Sequence, residues 1–491
     1  MTQTYKSRGL YIDGEWIPTD KHDAIINPAT LEMIGEAPVG GRAHVEDALA
    51  AARHAFDKGP WPRMLQAERQ AVLSAFLDEI ERRAQEIINL IVAEAGSTIS
   101  LAEYHQYGTP VRHARHSVAI SSRPAVEPLF VDSFPNGTGG RTLGAGALSR
   151  EPVGVVSAIT PYNFPFFLNL GKIIPAMAVG CTVILKPSPY TPFEALIFGE
   201  IAEAVGLPNG VLNVVTGGMD VGEALTTDPR VDLVTFTGSD TVGAAIQAQS
   251  APTLKRLLLE LGGKSALIVR SDADLDKATS NGLAGFITHC GQGCGLLTRH
   301  LVHNSIRKDY VDMITRKIDA IKVGNPADRS VGMGPLIREA ARARSEKYTD
   351  IALQEGATLV TGGGRPSEAG AGFFYKPTLF DNVKNSFRVA QEEIFGPIAV
   401  VIGFEDDEEA VALANDSEFG LAGAIFSRDV GGAYEMALRI RTGAVALNGG
   451  AGRMSSQAPF GGIKRSGYGR EYGMEGLNEF TYMKNIHFHA E

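Results

Sequence analysis

The 491-residue sequence is poor in cysteine, with only Cys181, Cys290 and Cys294. Three cysteines cannot form the disulfide framework of a small secreted scaffold, so we expect a reducing compartment, the cytoplasm. Long apolar runs are also missing: no stretch of 18 apolar residues occurs, and the N-terminal residues lack the apolar segment of a signal peptide. These absences exclude an ordinary membrane-spanning helix, and we expect no membrane partner.

Basic residues are in the minority, with 46 Lys and Arg against 56 Asp and Glu and a net charge of −10. A chain of this charge without a basic run is not expected to bind nucleic acid. Repeats and low-complexity tracts are missing as well, which excludes a solenoid. Glycine, in contrast, is abundant at 56 residues, which indicates many tight turns and close backbone approaches.

Short apolar runs alternate with helical stretches from residue 153 to 260, and a second alternating set runs from 265 to 448. Such alternation is typical of parallel sheets covered by helices on both faces. The sequence therefore predicts an α/β protein with two doubly wound α/β domains joined near residue 260. Residues 42–122 show helical spacing, and residues 123–150 and the C-terminal end resemble strands outside these two domains.

Cys294 ends the segment THCGQGC, in which glycines would let backbone N–H groups approach a reacting atom closely. As a thiolate, a cysteine in such a place is a strong nucleophile. The alternative is a small buried thiol, which is the commoner role of an isolated cysteine. Cys290 and Cys294 have no further pair of ligands near them, so the sequence does not predict a metal site.

Two polar residues follow predicted strands. Glu260 ends an apolar strand, precedes two glycines and could act as a general base, the alternative being a solvent-facing residue at the strand end. Asn163, in the segment PYNFP, offers an amide N–H to a developing oxyanion; the alternative is a turn or helix-cap residue. Neither motif is specific alone.

Two segments could bind a dinucleotide, and a third is notable for its composition. Lys186 and Ser188 follow the strand TVILKP and could contact ribose hydroxyls or phosphate. The segment FTGSDTVG leads a strand into a helix whose N-terminus could approach a pyrophosphate, although it is not the usual GxGxxG fingerprint. The segment EEIFGP places an acidic pair beside an aromatic residue at a turn.

Taken together and in this order, the motifs resemble those of the aldehyde dehydrogenase superfamily. The matching segments are PYNFP, KPSPYTP, FTGSDTVG, LELGGKS, GQGC, EEIFGP and PFGGIKRSGYGREYGMEGLNEFT, with YIDGEW and INPAT near the N-terminus. The resemblance covers essentially the whole chain. It implies an NAD(P)-dependent, non-acylating enzyme that oxidises an aldehyde to a carboxylic acid.

The resemblance also implies a role for individual residues. Cys294 would be the nucleophile, Glu260 the base that activates water, and Asn163 with the backbone N–H of Cys294 the oxyanion hole. Lys186 and Glu393 would bind ribose hydroxyls and Phe395 would pack near the nicotinamide. The full set expected to bind the cofactor is Thr160, Pro161, Lys186, Ser188, Gly238, Ser239, Gly243, Leu261, Glu393 and Phe395. The substrate pocket is expected to include Phe164, Phe167, Leu168 and Gly171, the alternative being that these residues only pack the core.

The domain limits expected from the resemblance divide the chain into four parts. A Rossmann-like cofactor domain is expected over 1–128 and 151–258, a catalytic domain over 259–450, a β oligomerisation flap from 129–150 and 479–491, and a return to the cofactor domain over 451–478. A homodimer or homotetramer is therefore expected.

Three positions depart from the family pattern. Tyr162 stands where the family motif PWNFP has tryptophan, which is a mild aromatic swap. Pro189 stands where NAD-preferring members often carry a glutamate that repels a 2′-phosphate, so NAD is the first expectation but NADP is not electrostatically excluded. Gly171 stands where many relatives carry a bulkier residue, which predicts a roomy, apolar pocket.

Other functions stay open at this stage. In a CoA-acylating dehydrogenase CoA would take the acyl group, and Glu260 argues against it. A cysteine hydrolase would use no redox cofactor, and the segments around Lys186 and Gly238 argue against it. Retention of Cys294, Glu260 and Asn163 together argues against an inactive relative.

Overall fold

Five short strands open the described part of the chain, which in this computed structural model covers residues 5–122, 126–450 and 455–488. They are β1 (Tyr5–Lys6), β2 (Leu10–Ile12), β3 (Glu15–Ile17), β4 (His22–Ile26) and β5 (Met33–Pro38). β1 pairs with β5, and β5 pairs with β4, in a small three-stranded sheet. The sequence pattern predicts no strands in this region, because elements of two to six residues show too little alternation to be recognised.

Helices follow, as the spacing over 42–122 predicts. They are α1 (Arg42–Asp57), α2 (Gln66–Arg82), α3 (Ala84–Ala95), α4 (Ile99–Leu101) and α5 (Thr109–Ile120), with a 3-10 turn at Trp61–Arg63. Between α4 and α5 the chain forms a π-helix over Ala102–Gly108. π-Helical turns are rare and are often found at functional sites.

An extended segment then leaves the helices. It contains β6 (Val126–Pro128), β7 (Asp132–Pro135) and the long strand β8 (Arg141–Pro152), with which β6 and β7 pair antiparallel. The extended structure predicted for residues 123–150 is confirmed over the part of it that is described.

The first α/β unit alternates strand and helix. Its elements are β9 (Val155–Ile159), α6 (Pro165–Val179), β10 (Thr182–Lys186), α7 (Phe193–Val205), β11 (Leu212–Val214), α8 (Met219–Thr227), β12 (Leu233–Thr237), α9 (Asp240–Ser250), a 3-10 turn (Ala251–Thr253) and β13 (Arg256–Glu260). These five strands are parallel, in the order β13-β12-β9-β10-β11, and β2 and β3 extend the sheet beyond β11.

The sheet is covered on both faces. Val156 and Ala158 of β9 pack in the hydrophobic core that contains α6 and α7, whereas Val155 and Ile159 pack in the core that contains α1, α8 and α9. Successive side chains of a strand point to opposite faces, so a strand buried on both sides is a continuous apolar run. This explains why the runs in the sequence show no polar alternation.

A second unit repeats the pattern. Its strands are β14 (Ser265–Val269), β15 (Leu297–His303), β16 (Thr358–Thr361), β17 (Thr378–Asp381), β18 (Ile398–Phe404), β19 (Phe419–Gly420), β20 (Ala422–Phe426) and β21 (Ala444–Leu447). Its helices are α10 (Leu275–Ile287), a 3-10 turn (Thr288–Gly291), α11 (Asn304–Asp319), α12 (Glu339–Gln354), α13 (Arg388–Gln391), α14 (Asp407–Asn415) and α15 (Val430–Arg439). Seven strands form one sheet, in the order β16-β17-β18-β15-β14-β20-β21. The prediction of two α/β units is therefore confirmed.

The last described segment connects these parts. It contains β22 (Ile463–Lys464), β23 (Gly467–Tyr468), α16 (Gly473–Glu479) and β24 (Thr481–Phe488). β22 pairs with β19, and β23 pairs antiparallel with β13 at Glu260. β24 pairs with β8 over eight residues, so the C-terminal strand joins the projecting sheet.

The domain limits expected from the sequence stay a prediction. The limit between 258 and 259 falls within β13, residues 129–150 contain β7 and most of β8, and β24 lies within 479–491. The parts of these ranges at 1–4, 123–125, 451–454 and 489–491 lie outside the described residues. Among the helices that are described, none is long and apolar enough to cross a membrane.

Candidate active site

A cleft of about 710 Å³ lies beside the segments that follow β9, β12 and β13 and the segment that precedes β15. Ligands of open α/β sheets bind at the carboxyl ends of the strands, where these segments lie. The lining residues are Pro161, Tyr162, Asn163, Thr237, Gly238, Ser239, Asp240, Thr241, Gly262, Cys294, Arg344, Tyr348, Gln391, Glu392, Glu393, Phe395, Glu418, Phe419 and Arg465. The candidate nucleophile, the candidate oxyanion donor and five of the predicted cofactor residues are thus brought to one cleft.

The three cysteines differ in access to this cleft. Cys181 and Cys290 are fully buried, whereas Cys294 is partly exposed and lines the cleft. Burial raises the pKa of Cys181 to about 12 and raises the pKa of Cys290 further still. A buried thiol with a raised pKa is a poor nucleophile, so the geometry favours Cys294.

The loop before Cys294 is tightly wound. His289, Cys290 and Gly291 all have positive φ, at 49°, 54° and 74°. Gln292 braces this turn: its side-chain amide donates to the His289 carbonyl at 3.1 Å, and its Oε1 accepts the Ile337 N–H at 3.0 Å. Left-handed non-glycine residues are costly and are found preferentially at active sites.

Asn163 lies in the turn between β9 and α6 and is 3% exposed. Its Nδ2 donates to the Gln292 carbonyl at 2.9 Å, which fixes the amide against the loop that carries Cys294. An amide nitrogen has two hydrogens. One is donated to the Gln292 carbonyl, which leaves the second for another acceptor.

Glu260 ends β13 and is 1% exposed, and neither carboxyl oxygen has a hydrogen-bond partner among the described residues. The backbone around it meets the cysteine loop, because a Cβ on Gly263 would lie 2.4 Å from the Cys294 carbonyl oxygen. Burial raises the pKa of Glu260 well above its usual value, and the nearby Glu471 carboxylate raises it further. A carboxylate with a raised pKa is a stronger base once it is ionised.

A buried ion pair accompanies Glu260. Lys172 of α6 is fully buried, bonds to the Glu471 carboxylate, and donates to Thr235 Oγ1 at 2.9 Å. The charge of Lys172 lowers the pKa of Glu260, in opposition to Glu471. Sequence reasoning missed both residues: Glu471 lies inside the tail motif without a recognisable role there, and Lys172 interrupts an otherwise apolar helix.

The segment around Glu393 is held close to the end of β13. Glu393 accepts the Gly263 N–H at 2.9 Å, and a Cβ on Gly262 would lie 2.4 Å from a Glu393 carboxyl oxygen. Burial raises the pKa of Glu393 to about 7. Phe395 has φ of 60°, and its ring meets the Tyr162 ring at 6.1 Å. Because Gly262 has no Cβ, the Glu393 carboxylate can lie directly beside its backbone and line the cleft.

The predicted pyrophosphate helix is α9. Ser239 caps it by accepting the Val242 N–H at 3.3 Å, and Gly238 and Ser239 line the cleft. Gly243 and Leu261 contact each other: a Cβ on Gly243 would lie 2.6 Å from a Leu261 methyl carbon. Gly243 thus lets α9 pack against the segment after β13, which is a packing role and not a contact with the cleft.

Thr160, Lys186 and Ser188 lie at the ends of β9 and β10, outside the set of residues that lines the cleft. The Thr160 N–H donates to the Lys186 carbonyl at 3.1 Å. The Lys186 ammonium donates to the Pro187 carbonyl at 2.9 Å, and burial lowers its pKa to about 8. The helix N-terminus, the Glu393 carboxylate and the Phe395 ring fit a dinucleotide: they offer an anion site, an acceptor for ribose hydroxyls and an aromatic face.

The residues expected in the substrate pocket lie on α6 or just before it. Phe164, Leu168 and Gly171 are partly exposed, whereas Phe167 is buried. A Cβ on Gly171 would lie 2.9 Å from the Tyr472 hydroxyl. The Tyr472 ring and its hydroxyl therefore lie directly beside Gly171. The roomy, apolar pocket stays a prediction.

The model of the aldehyde dehydrogenase family matches residues 16–486. Betaine aldehyde dehydrogenase of Bacillus subtilis is 38% identical, covering 98% of this chain and 97% of the relative. Geranial dehydrogenase of Castellaniella defragrans is 37% identical, covering 99% of both chains. The crystal structure of Mycobacterium tuberculosis aldehyde dehydrogenase complexed with NAD+ is similar with a TM-score of 0.93 at 39% identity, covering 99% of this chain and 98% of that one.

The chain therefore belongs to the aldehyde dehydrogenase family. Its reaction is NAD-dependent oxidation of an aldehyde, as the sequence motifs imply. The comparisons give no support to the CoA-acylating or cofactor-free alternatives.

Proposed function

We propose that Cys294 attacks the aldehyde carbon to form a thiohemiacetal, and that the resulting thioester is hydrolysed by water activated by Glu260. An aldehyde hydrogen is not acidic, so it must leave as hydride, and the addition of a thiolate creates the oxyanion that expels it. The nicotinamide of NAD supplies the hydride acceptor. The Asn163 amide and the Cys294 backbone N–H stabilise the oxyanion.

A single observation carries this proposal: the partly exposed thiol of Cys294 lies on a loop that is hydrogen-bonded to Asn163 and packed against Gly263, three residues after Glu260. Attack, oxyanion stabilisation and water activation need these three groups at one carbon atom. The direct test is mass spectrometry of the enzyme stopped during turnover. An acyl adduct on the peptide that contains Cys294 supports the proposal, and an adduct elsewhere contradicts it.

Glu393, Phe395 and the N-terminus of α9 would hold the cofactor, and Lys186, at the end of β10, is proposed to bind a ribose hydroxyl. Pro189 is exposed, in the turn that follows Lys186. The next residue, Tyr190, stacks under the Arg338 guanidinium at 4.8 Å. A cation near this turn does not repel a phosphate, so we propose NAD as the main cofactor with NADP tolerated.

Pro189→Glu is expected to raise the NAD/NADP ratio of kcat/KM by about tenfold to a hundredfold. A carboxylate there would accept a hydrogen bond from a 2′-hydroxyl and repel a 2′-phosphate. Pro189→Gln is the control, because it releases the same φ constraint without adding charge. Equal ratios in the two variants would show that position 189 does not face the 2′ group.

We propose that the sheet of β6, β7, β8 and β24 mediates self-association as a homodimer or homotetramer. Its segments expose apolar side chains, among them Phe130, Leu143, Met483 and Ile486. Exposed apolar patches and unpaired strand edges are typical of interfaces.

The acidic chain with three free cysteines fits a cytoplasmic enzyme, and we propose the cytoplasm as its location.

Leu143→Asp is expected to shift the mass measured by light scattering to a smaller species, because it places a charge in the proposed interface. Leu438→Asp is the matched control, since the two leucines are 64% and 66% exposed and Leu438 lies on α15, outside this sheet. An unchanged mass for Leu143→Asp, or the same loss in both variants, would contradict the role of the sheet. A chain truncated after Asn478, which removes β24, is expected to behave like Leu143→Asp.

A further inference from the structure

Six aromatic side chains form a continuous row beside the candidate active site. Neighbouring ring centroids lie 4.7 to 5.8 Å apart. In order, the row is His289, Phe164, His105, Phe167, and then His113 and Tyr472, which contact Phe167 and each other. Three imidazoles thus alternate with phenyl and phenol rings.

Both ends of the row lie near the reacting groups. His289 is in the wound loop that leads to Cys294, and Tyr472 follows Glu471 directly in the chain. Burial raises the pKa of the Tyr472 hydroxyl, and negative charge on Glu471, Glu260 and Cys294 raises it further. This hydroxyl is therefore within electrostatic range of the candidate nucleophile and the candidate base. The row therefore adjoins the reacting groups, because Phe164 directly follows Asn163 and His289 lies in the loop that leads to Cys294.

Two rings of the row, Phe164 and His105, are partly exposed, and the other four are buried. Leu168 and Gly171 of α6, which follow Phe164 in the chain, are also partly exposed. His289 and Tyr472, at the two ends of the row, are 5% and 7% exposed. His105 is carried by the π-helix, which also carries Gln106. Gln106 donates to the Asn163 carbonyl at 3.4 Å and to Ser97 Oγ at 3.0 Å. The π-helical turn therefore lies beside the row, and we refer to the row of rings and this turn together as the wall.

The wall contains buried polar atoms without a hydrogen-bond partner among the described residues. They are both ring nitrogens of His289, the hydroxyl of Tyr472 and Oε1 of Gln106. Burial lowers the pKa of His289 to about 3, so its ring is neutral and offers one donor and one acceptor. Buried polar groups are almost always paired in folded proteins, so unpaired ones at a binding site point to a ligand or to water.

Resting on the function proposed above, we propose that this row binds the acyl part of an uncharged aromatic aldehyde that carries a hydroxyl group. A flat ring packs edge to face against Phe164 and Phe167, as the rings of the row already do with one another. A hydroxyl group both donates and accepts, so it can pair with the imidazole of His289 or the hydroxyl of Tyr472.

Charged aldehydes fit this wall less well. A quaternary ammonium aldehyde, as in the names of the betaine aldehyde dehydrogenases, would gain cation–π contact with these rings, but it has no hydrogen to donate at its cationic end and would leave the polar atoms unpaired. An aldehyde with a distal carboxylate would need a lysine or arginine, and the six residues of the row include neither.

The test compares kcat/KM of the NAD-loaded enzyme for the three hydroxybenzaldehydes, the matching methoxybenzaldehydes, benzaldehyde and betaine aldehyde. Methoxy groups resemble hydroxyls electronically but cannot donate, and the acid product is measured by chromatography. We expect at least one hydroxy isomer to exceed its methoxy partner, benzaldehyde and betaine aldehyde by about tenfold or more. Hydroxy-to-methoxy ratios near one, or a preference for betaine aldehyde, would overturn the proposal.

Two variants keep a ring and remove its polar atoms: Tyr472→Phe and His289→Phe. Phe395 shows that phenylalanine adopts positive φ in this fold, as both positions require. At least one variant is expected to reduce the hydroxy-to-methoxy ratio to near one, whereas Tyr104→Phe, on the exposed side of the π-helix, should not change it. An unchanged ratio in both would mean that only water meets these atoms. Oxidation of none of these aldehydes, nor of short aliphatic ones, would instead refute the function itself.

Discussion

Cys294→Ala is expected to lose aldehyde oxidation almost completely, with kcat reduced by at least about a thousandfold. Without the thiol no thiohemiacetal forms, and the Asn163 amide has no oxyanion to stabilise. The substitution removes one sulfur atom at a partly exposed position, so the fold should be retained. The measurement is NADH production at saturating aldehyde, with circular dichroism to confirm folding.

Cys290→Ala is the matched control, because Cys290 lies in the same loop but is fully buried away from the cleft. It is expected to keep most of the activity while losing stability, since a small cavity replaces the sulfur. If the Cys290 variant folds and is as inactive as the Cys294 variant, the assignment of a single nucleophile is wrong.

The parts of the site that were predicted from sequence are those where backbone geometry dictates the residue. A Cβ at Gly262 or Gly263 would clash with Glu393 or with the Cys294 carbonyl. A glycine pair after a strand therefore predicts a close approach of the backbone to other residues of the site. The apolar runs of β9, β10 and β12 are likewise readable, because these strands are buried on both faces.

The parts that were missed depend on contacts between distant segments. Lys172 and Glu471 pair across 299 positions of the sequence, and neither residue has a local pattern that predicts the other. Tyr472 lies against Gly171 although the two residues are far apart in the sequence, so neither position predicts this contact. The roomy, apolar pocket expected from Gly171 stays a prediction.

Glu260→Gln is expected to spare the first turnover and to slow the steady state by about a hundredfold or more. Glutamine cannot take a proton from water, so the thioester on Cys294 should persist while its formation continues. Rapid mixing should show a burst of about one NADH per active site, followed by a slow phase, and the adduct should be visible by mass spectrometry. Loss of the burst would mean that Glu260 acts earlier, by activating Cys294.

The pH dependence separates these roles further. Because burial and Glu471 raise the pKa of Glu260, the carboxylate that acts as base is present above that pKa, and deacylation should fall as pH decreases through it. Glu260→Gln should abolish this decrease in the deacylation rate at low pH. Glu471→Gln should move it to lower pH, since it removes a negative neighbour and leaves the positive charge of Lys172 to act on Glu260. If the pH dependence stays in place in both variants, the titration belongs to another group. A shift to higher pH in Glu471→Gln would contradict the effect assigned to the Glu471 carboxylate.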